Sequence, residues 1–127
     1  MQTADGKFAI TYNGKNYNFQ DLRSALNARS VVFRTQSDTE VVLNAYREYG
    51  AQAVNKLRGM FAFAIHDSIA GEVFLARDRL GIKPLYYYND DQVFVAASEI
   101  KAILASGYVE KSAFQSQKQF EYRAEIA

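Results

Sequence analysis

The chain has no cysteine and no tryptophan, only one proline and one histidine, and its charges nearly cancel. Without cysteine it forms no disulfide, holds no thiolate metal site and offers no cysteine nucleophile of its own. A single histidine among 127 residues leaves no histidine cluster for a metal. Fifteen basic against fourteen acidic side chains give a net charge of +1, with no electrostatic bias toward nucleic acid or an anionic membrane. No apolar run approaches a membrane span, and the start, MQTADGKFAI, lacks the basic and apolar regions of a signal peptide. The expectation is a cytoplasmic protein of one main domain, residues 1–106, followed by a polar tail or marginal helix over 107–127.

What is present is a phenylalanine-rich apolar run, Met60 to Ile65, too short for an ordinary helix. It predicts a strand covered on both faces. Asp67 to Gly71 predicts a hairpin loop into a second strand, Val73 to Ala76. The alternating signs of Arg77, Asp78, Arg79 and Lys83 predict ion pairs pinning the turn around Gly81 and Pro84. Leu85 to Tyr88 and Gln92 to Ala96 read as strands joined by a turn at Asn89-Asp90-Asp91, with alternate tyrosine rings buried. A serine, Ser98, stands where a helix cap belongs ahead of a helix ending near Ala105.

Upstream, Lys7 to Tyr12 and Val31 to Arg34 predict short strands, and Asn13-Gly14 predicts a turn or strand end. Asn18 caps an expected helix carrying Phe19, Leu22, Ala25 and Leu26 on one face. Ser37-Asp38-Thr39-Glu40 matches a capping box, and the helix it opens carries Val42, Ala45, Tyr46 and Tyr49 to a stop near Gly50. Ala51 to Leu57 adds a short helical turn. His66, without a visible partner set, reads as structural. No repeat or phosphate-binding glycine loop occurs, and no cofactor or metal is implied.

Three segments in one order, FAITYNGKNYNFQDLRSAL, TQSDTEVVLNAYREYG and LRGMFAFAIHDSIAGEVFLARDRLGIKPLYYY, resemble the glutaminase domain of asparagine synthetases, a class II glutamine amidotransferase. The resemblance implies an α+β fold of the N-terminal nucleophile hydrolase type, antiparallel sheets stacked between helices. In that family an N-terminal cysteine attacks the glutamine side-chain amide, with its own α-amine as base. Donors at an asparagine-glycine pair then stabilise the oxyanion. Carried onto this chain, the resemblance places Asn13 and Gly14 at a vestigial oxyanion hole. Asp38 matches the aspartate that holds the α-amino end of glutamine. Lys15 stands where the family has an acid, and a cation there repels a substrate ammonium unless its stem turns it aside.

The family carries its nucleophile strand ahead of the asparagine-glycine pair, whereas here Asn13 lies close to Met1 and a bulky Gln2 opposes methionine removal. The expectation is therefore a domain lacking the first strands, inactive alone and serving as a binding or assembly module. The alternative is half of a glutamine-hydrolysing enzyme, completed by a partner chain that carries the nucleophile. Uncovered sheet edges further imply a homo-oligomer, a dimer through an exposed edge or face with Phe8 to Tyr12 as seam. Neither nucleic acid nor membrane is an expected partner.

Overall fold

The computed structural model describes residues 1–109; the tail expected over 107–127 lies, from residue 110 onward, outside the described residues. Its elements are β1 (Phe8–Asn16), α1 (Phe19–Asn27), α2 (Asp38–Tyr49), a 3-10 turn (Gly50–Lys56), β2 (Gly59–Asp67), β3 (Glu72–Arg77), β4 (Tyr86–Asn89), β5 (Phe94–Ala97) and α3 (Ile100–Ala105). The first three strands form one antiparallel sheet in the order β1-β2-β3, and β4 pairs β5 in a second.

The phenylalanine run is the centre strand of the first sheet, and Phe61 to Ile65 are all buried. Alternation sorts its side chains onto two faces. Phe61, Phe63 and Ile65 lie with Phe8, Ile10 and Tyr12 on the face covered by α1 and α2. Leu22 and Leu26 of α1 and Val42, Ala45 and Tyr46 of α2 fill that layer. The Tyr46 ring stacks on Phe74 at 5.0 Å and meets the edge of Phe8 at 6.2 Å. Burial, with the Glu72 carboxylate beside it, pushes the Tyr46 hydroxyl up to about 12. The opposite face carries small residues, Thr11, Ala62 and Ala64, which face Ala96 and Ala97 of the second sheet and Leu85 just ahead of it. α3 packs on β4 and β5, so sheets stack between helices as expected.

Several local expectations fail for identifiable reasons. Val31 to Arg34 forms no strand. Its alternation is real, since Val31 and Phe33 pack on the core and Val32 is exposed, but it reports burial without pairing. The Ser37 hydroxyl caps α2 through Glu40 N–H at 3.2 Å, yet the Glu40 carboxylate reaches past the cap. It takes Arg34 N–H at 2.9 Å, Thr35 N–H at 2.7 Å and the Thr35 hydroxyl at 2.6 Å. Burial alone would raise this carboxyl; those bonds outweigh it and hold it below its ordinary range. The Asn18 side chain makes no capping bond to α1, because it ties Lys56 O and Arg58 N–H instead.

At the other end of the chain the residue preceding α3 is Glu99 and no side chain caps it, so the expected Ser98 cap is absent. Tyr86, Tyr87 and Tyr88 are all half-buried, not alternately buried, since a two-stranded sheet covers neither face fully. Ion pairs were expected to pin the turn after β3; the bonds seen among the described residues run from side chain to backbone. The Asp78 carboxylate accepts the N–H groups of Phe61, Leu80, Ile82 and Lys83 at 3.0–3.2 Å. The Arg77 guanidinium donates to the carbonyls of Gly81 and Lys83, each at 2.6 Å.

Candidate functional site on the outer edge of the first sheet

Asn13-Gly14, expected as a turn or strand end, runs inside β1 opposite Ala62 and Phe61. The reason for glycine is a close approach. A Cβ on Gly14 would meet the Met60 carbonyl oxygen and lie 2.6 Å from the Phe61 Cα. Across the same ladder a Cβ on Gly59 would meet the Lys15 carbonyl oxygen. Two glycines, one per strand, thus let the backbones close at this end of the sheet.

Strand periodicity then decides where the backbone groups point. Ile10 exchanges bonds with Met1, its N–H to Met1 O at 2.8 Å and its carbonyl receiving the Met1 α-ammonium at 2.9 Å. Phe8 O accepts Thr3 N–H at 2.9 Å, and Asn16 N–H donates to Asp38 Oδ2 at 2.9 Å. Phe8, Ile10 and Asn16 therefore face away from β2, and a period of two sends the Tyr12 and Gly14 groups the same way. Among the described residues no strand pairs with β1 beyond Ile10. The Gly14 N–H consequently points to an open edge, as an oxyanion donor must.

Asp38, first residue of α2, closes the far end of that opening. Its Oδ2 holds Asn16 N–H and receives the Tyr12 hydroxyl at 3.3 Å. Burial, reinforced by the Asp38 charge, raises the Tyr12 hydroxyl well above its ordinary range, so it stays a donor. Gly14 and Asn16 are two residues apart, about 7 Å along a strand. The Lys15 side chain, exposed, lays its ammonium over the Phe19 ring at 5.4 Å from the centroid. Cation–π attraction gives that stem a resting place aside from the edge.

The Asn13 side chain lies on the face turned to the second sheet, where its Nδ2 donates to Ser98 Oγ at 3.3 Å. One amide N–H is used there and the second is left for another acceptor. A cavity of about 70 Å³ beside this bond is lined by Thr11, Asn13, Ala62, Leu85, Ala96 and Ser98. The structure thus gathers Asn13, Gly14, Lys15 and Asp38 around one end of β1. Ser98, Tyr12 and Asn16 belong with them and escaped the sequence reading, because the contacts that recruit them span 22 to 85 residues of chain. His66 pairs with Ala9 at the other end of β2 and is exposed. No group of acidic or histidine side chains among the described residues is arranged to hold a metal ion. No helix among them is long and apolar enough to cross a membrane.

The chain is an α+β sandwich with an asparagine-glycine pair and a carboxylate along one strand edge, and its class is that of the class II glutamine amidotransferase domains of the N-terminal nucleophile hydrolase fold. Residues 1–125 match the glutamine amidotransferase domain family, and the chain belongs to that family. It is asparagine synthetase-like: it is 49% identical over 98 residues to a glutamine-hydrolysing asparagine synthetase of Bacillus subtilis, type 3, covering 77% of this chain and 16% of that protein. A putative glutamine-hydrolysing asparagine synthetase 2 of Methanocaldococcus jannaschii is 43% identical over 102 residues, 80% of this chain and 19% of the relative. The chain therefore spans less than a fifth of the length of these relatives. Among solved structures, glutamine phosphoribosylpyrophosphate amidotransferase from B. subtilis, complexed with ADP and GMP, superposes with a TM-score of 0.67 at 27% identity, over 84% of this chain and 25% of that one.

Proposed function

We propose that these residues form the glutamine-holding part of a class II amidotransferase site. Asp38 takes the α-ammonium, and Gly14 N–H with Asn13 Nδ2 takes the side-chain carbonyl. The observation that carries this reading is the open edge of β1, with the Gly14 N–H at one end and Asp38 at the other. These 127 residues hold no cysteine, so they bind the amide and polarise it without supplying the thiol. By themselves they act as a binding module, and hydrolysis needs a thiol from polypeptide outside them. A cytoplasmic setting suits a domain that handles a free amino acid and carries no disulfide.

The test is a titration of isotopically labelled protein with glutamine, followed by NMR. The Gly14 and Asn16 amides are expected to shift, Asp38→Asn to weaken binding about ten-fold or more, and ammonia release to be nil. Shifts confined to other regions, or an unchanged affinity in Asp38→Asn, would overturn the assignment.

The same edge supports a second reading, self-association. Of the expected seam, Phe8 to Ile10 are already paired by the chain's own Met1 to Thr3, which leaves Tyr12 and Gly14 for a second copy. Sedimentation at micromolar concentration is expected to give a dimer that glutamine dissociates, because ligand and second copy compete for the same N–H groups. A monomer at every concentration removes this reading and leaves the first untouched.

A further inference from the structure

The loop between β3 and β4 presents two large apolar side chains to solvent, Leu80 at 84% exposure and Ile82 at 56%. Loops that do so without function are commonly loose, yet this one is held from inside. The Asp78 carboxylate takes the N–H groups of Leu80, Ile82 and Lys83, and it is anchored to the sheet through Phe61 N–H. Arg77 takes the Gly81 and Lys83 carbonyls, and a Cβ on Gly81 would sit 3.1 Å from the guanidinium carbon. Three backbone N–H groups and two carbonyls of the loop are thus held from within, and the apolar tips stand on a braced base. Ordering costs that a flexible loop would incur on binding are already met.

Arg79 and Lys83 flank the two apolar tips, and among the described residues their side-chain nitrogens have no hydrogen-bond or ion-pair partner. The neighbouring acid, Asp78, is buried and its oxygens are occupied by backbone N–H groups. The tip is therefore apolar at its centre and cationic at its rim. A net charge of +1 gives little long-range pull toward a phosphate polymer or a bilayer, which leaves short-range complementarity to select the partner.

We propose that residues 79–83 are a docking element for an acidic protein surface, with Leu80 and Ile82 entering an apolar recess whose rim carboxylates face Arg79 and Lys83. Through Phe61 N–H, which donates to Asp78, the loop is anchored from the β3 side at the end of the sheet where Phe61 lies across from Gly14. The docking does not depend on glutamine binding there.

The test uses the labelled 127-residue chain and a helical peptide of leucine and glutamate as probe, with glutamine-for-glutamate and lysine-for-glutamate counterparts as controls. The leucine–glutamate peptide is expected to shift the Leu80, Gly81 and Ile82 amides, and the glutamine counterpart to bind about ten-fold more weakly. The combined Leu80→Ser and Ile82→Ser variant is expected to lose the shifts with an unchanged Tm, since both side chains are exposed. Equal binding of the lysine peptide overturns the proposal, as do shifts spread away from the loop. So do loop shifts produced by unlabelled protein alone, which would mean a second copy, or tighter binding to phosphatidylserine vesicles, which would mean a membrane.

Discussion

Gly14→Ala is expected to destabilise the domain by about 3 kcal/mol or more and to abolish glutamine binding. The added methyl would meet the Met60 carbonyl oxygen and the Phe61 Cα, both backbone, so no rotamer change relieves the overlap. The strands must separate, and β1·β2 is the ladder on which the first sheet is built. Gly59→Ala, which drives a methyl into the Lys15 carbonyl oxygen from the other strand, should cost a similar amount. Both residues crowd one strand crossing, so the double variant should cost less than the sum of the two. Urea denaturation of the three variants measures this. A loss below about 1 kcal/mol for either single variant would show that the approach of the strands is not required.

Asp78→Ala is expected to cost about 2–4 kcal/mol, because it leaves a cluster of backbone N–H groups without their acceptor. Asp78→Asn, which keeps one acceptor oxygen, should cost less. The same residue sets an acid limit. Burial pushes the Asp78 carboxyl up, but the N–H groups of Ile82, Lys83, Phe61 and Leu80 outweigh it and hold it below its ordinary 3.8. Glu40 is likewise depressed below 4.5. For a group whose folded value is lowered, the unfolded chain binds the proton first as pH falls. Stability from both carboxylates is therefore complete above the ordinary carboxylate range and drains away as pH falls through the depressed folded values. Tm is expected to be flat from neutrality to about pH 5 and to fall below it. The fall should be shallower in Asp78→Asn and in Glu40→Gln. An acid slope identical in all three proteins would assign the loss to other groups.

Some elements are legible in the residues alone for a local reason. The run Met60 to Ile65 can satisfy itself only between two covered faces, and a serine three residues before a glutamate opens α2 whatever surrounds it. Other residues mislead because a local preference has a non-local competitor. Asn-Gly favours turns, yet here the glycine is demanded by Met60, nearly fifty residues further along. Val31 to Phe33 alternate like a strand, but the Glu40 carboxylate takes the backbone donors that follow them. Ser98 has the position of a cap and is drawn instead to Asn13.

By itself, then, the sequence determined the family and the α+β class. It also determined that no thiol comes from these residues, since all three follow from residue identity and order. It placed Asn13, Gly14 and Asp38 in one candidate set by resemblance. Only the tertiary structure decided that Gly14 N–H and Asp38 open onto the same strand edge. It alone turned the Lys15 ammonium aside onto Phe19 and clamped the 79–83 loop from within. Direction along a strand edge depends on which neighbour a strand pairs with. Pairing is a property of the sheet, which no window of sequence contains.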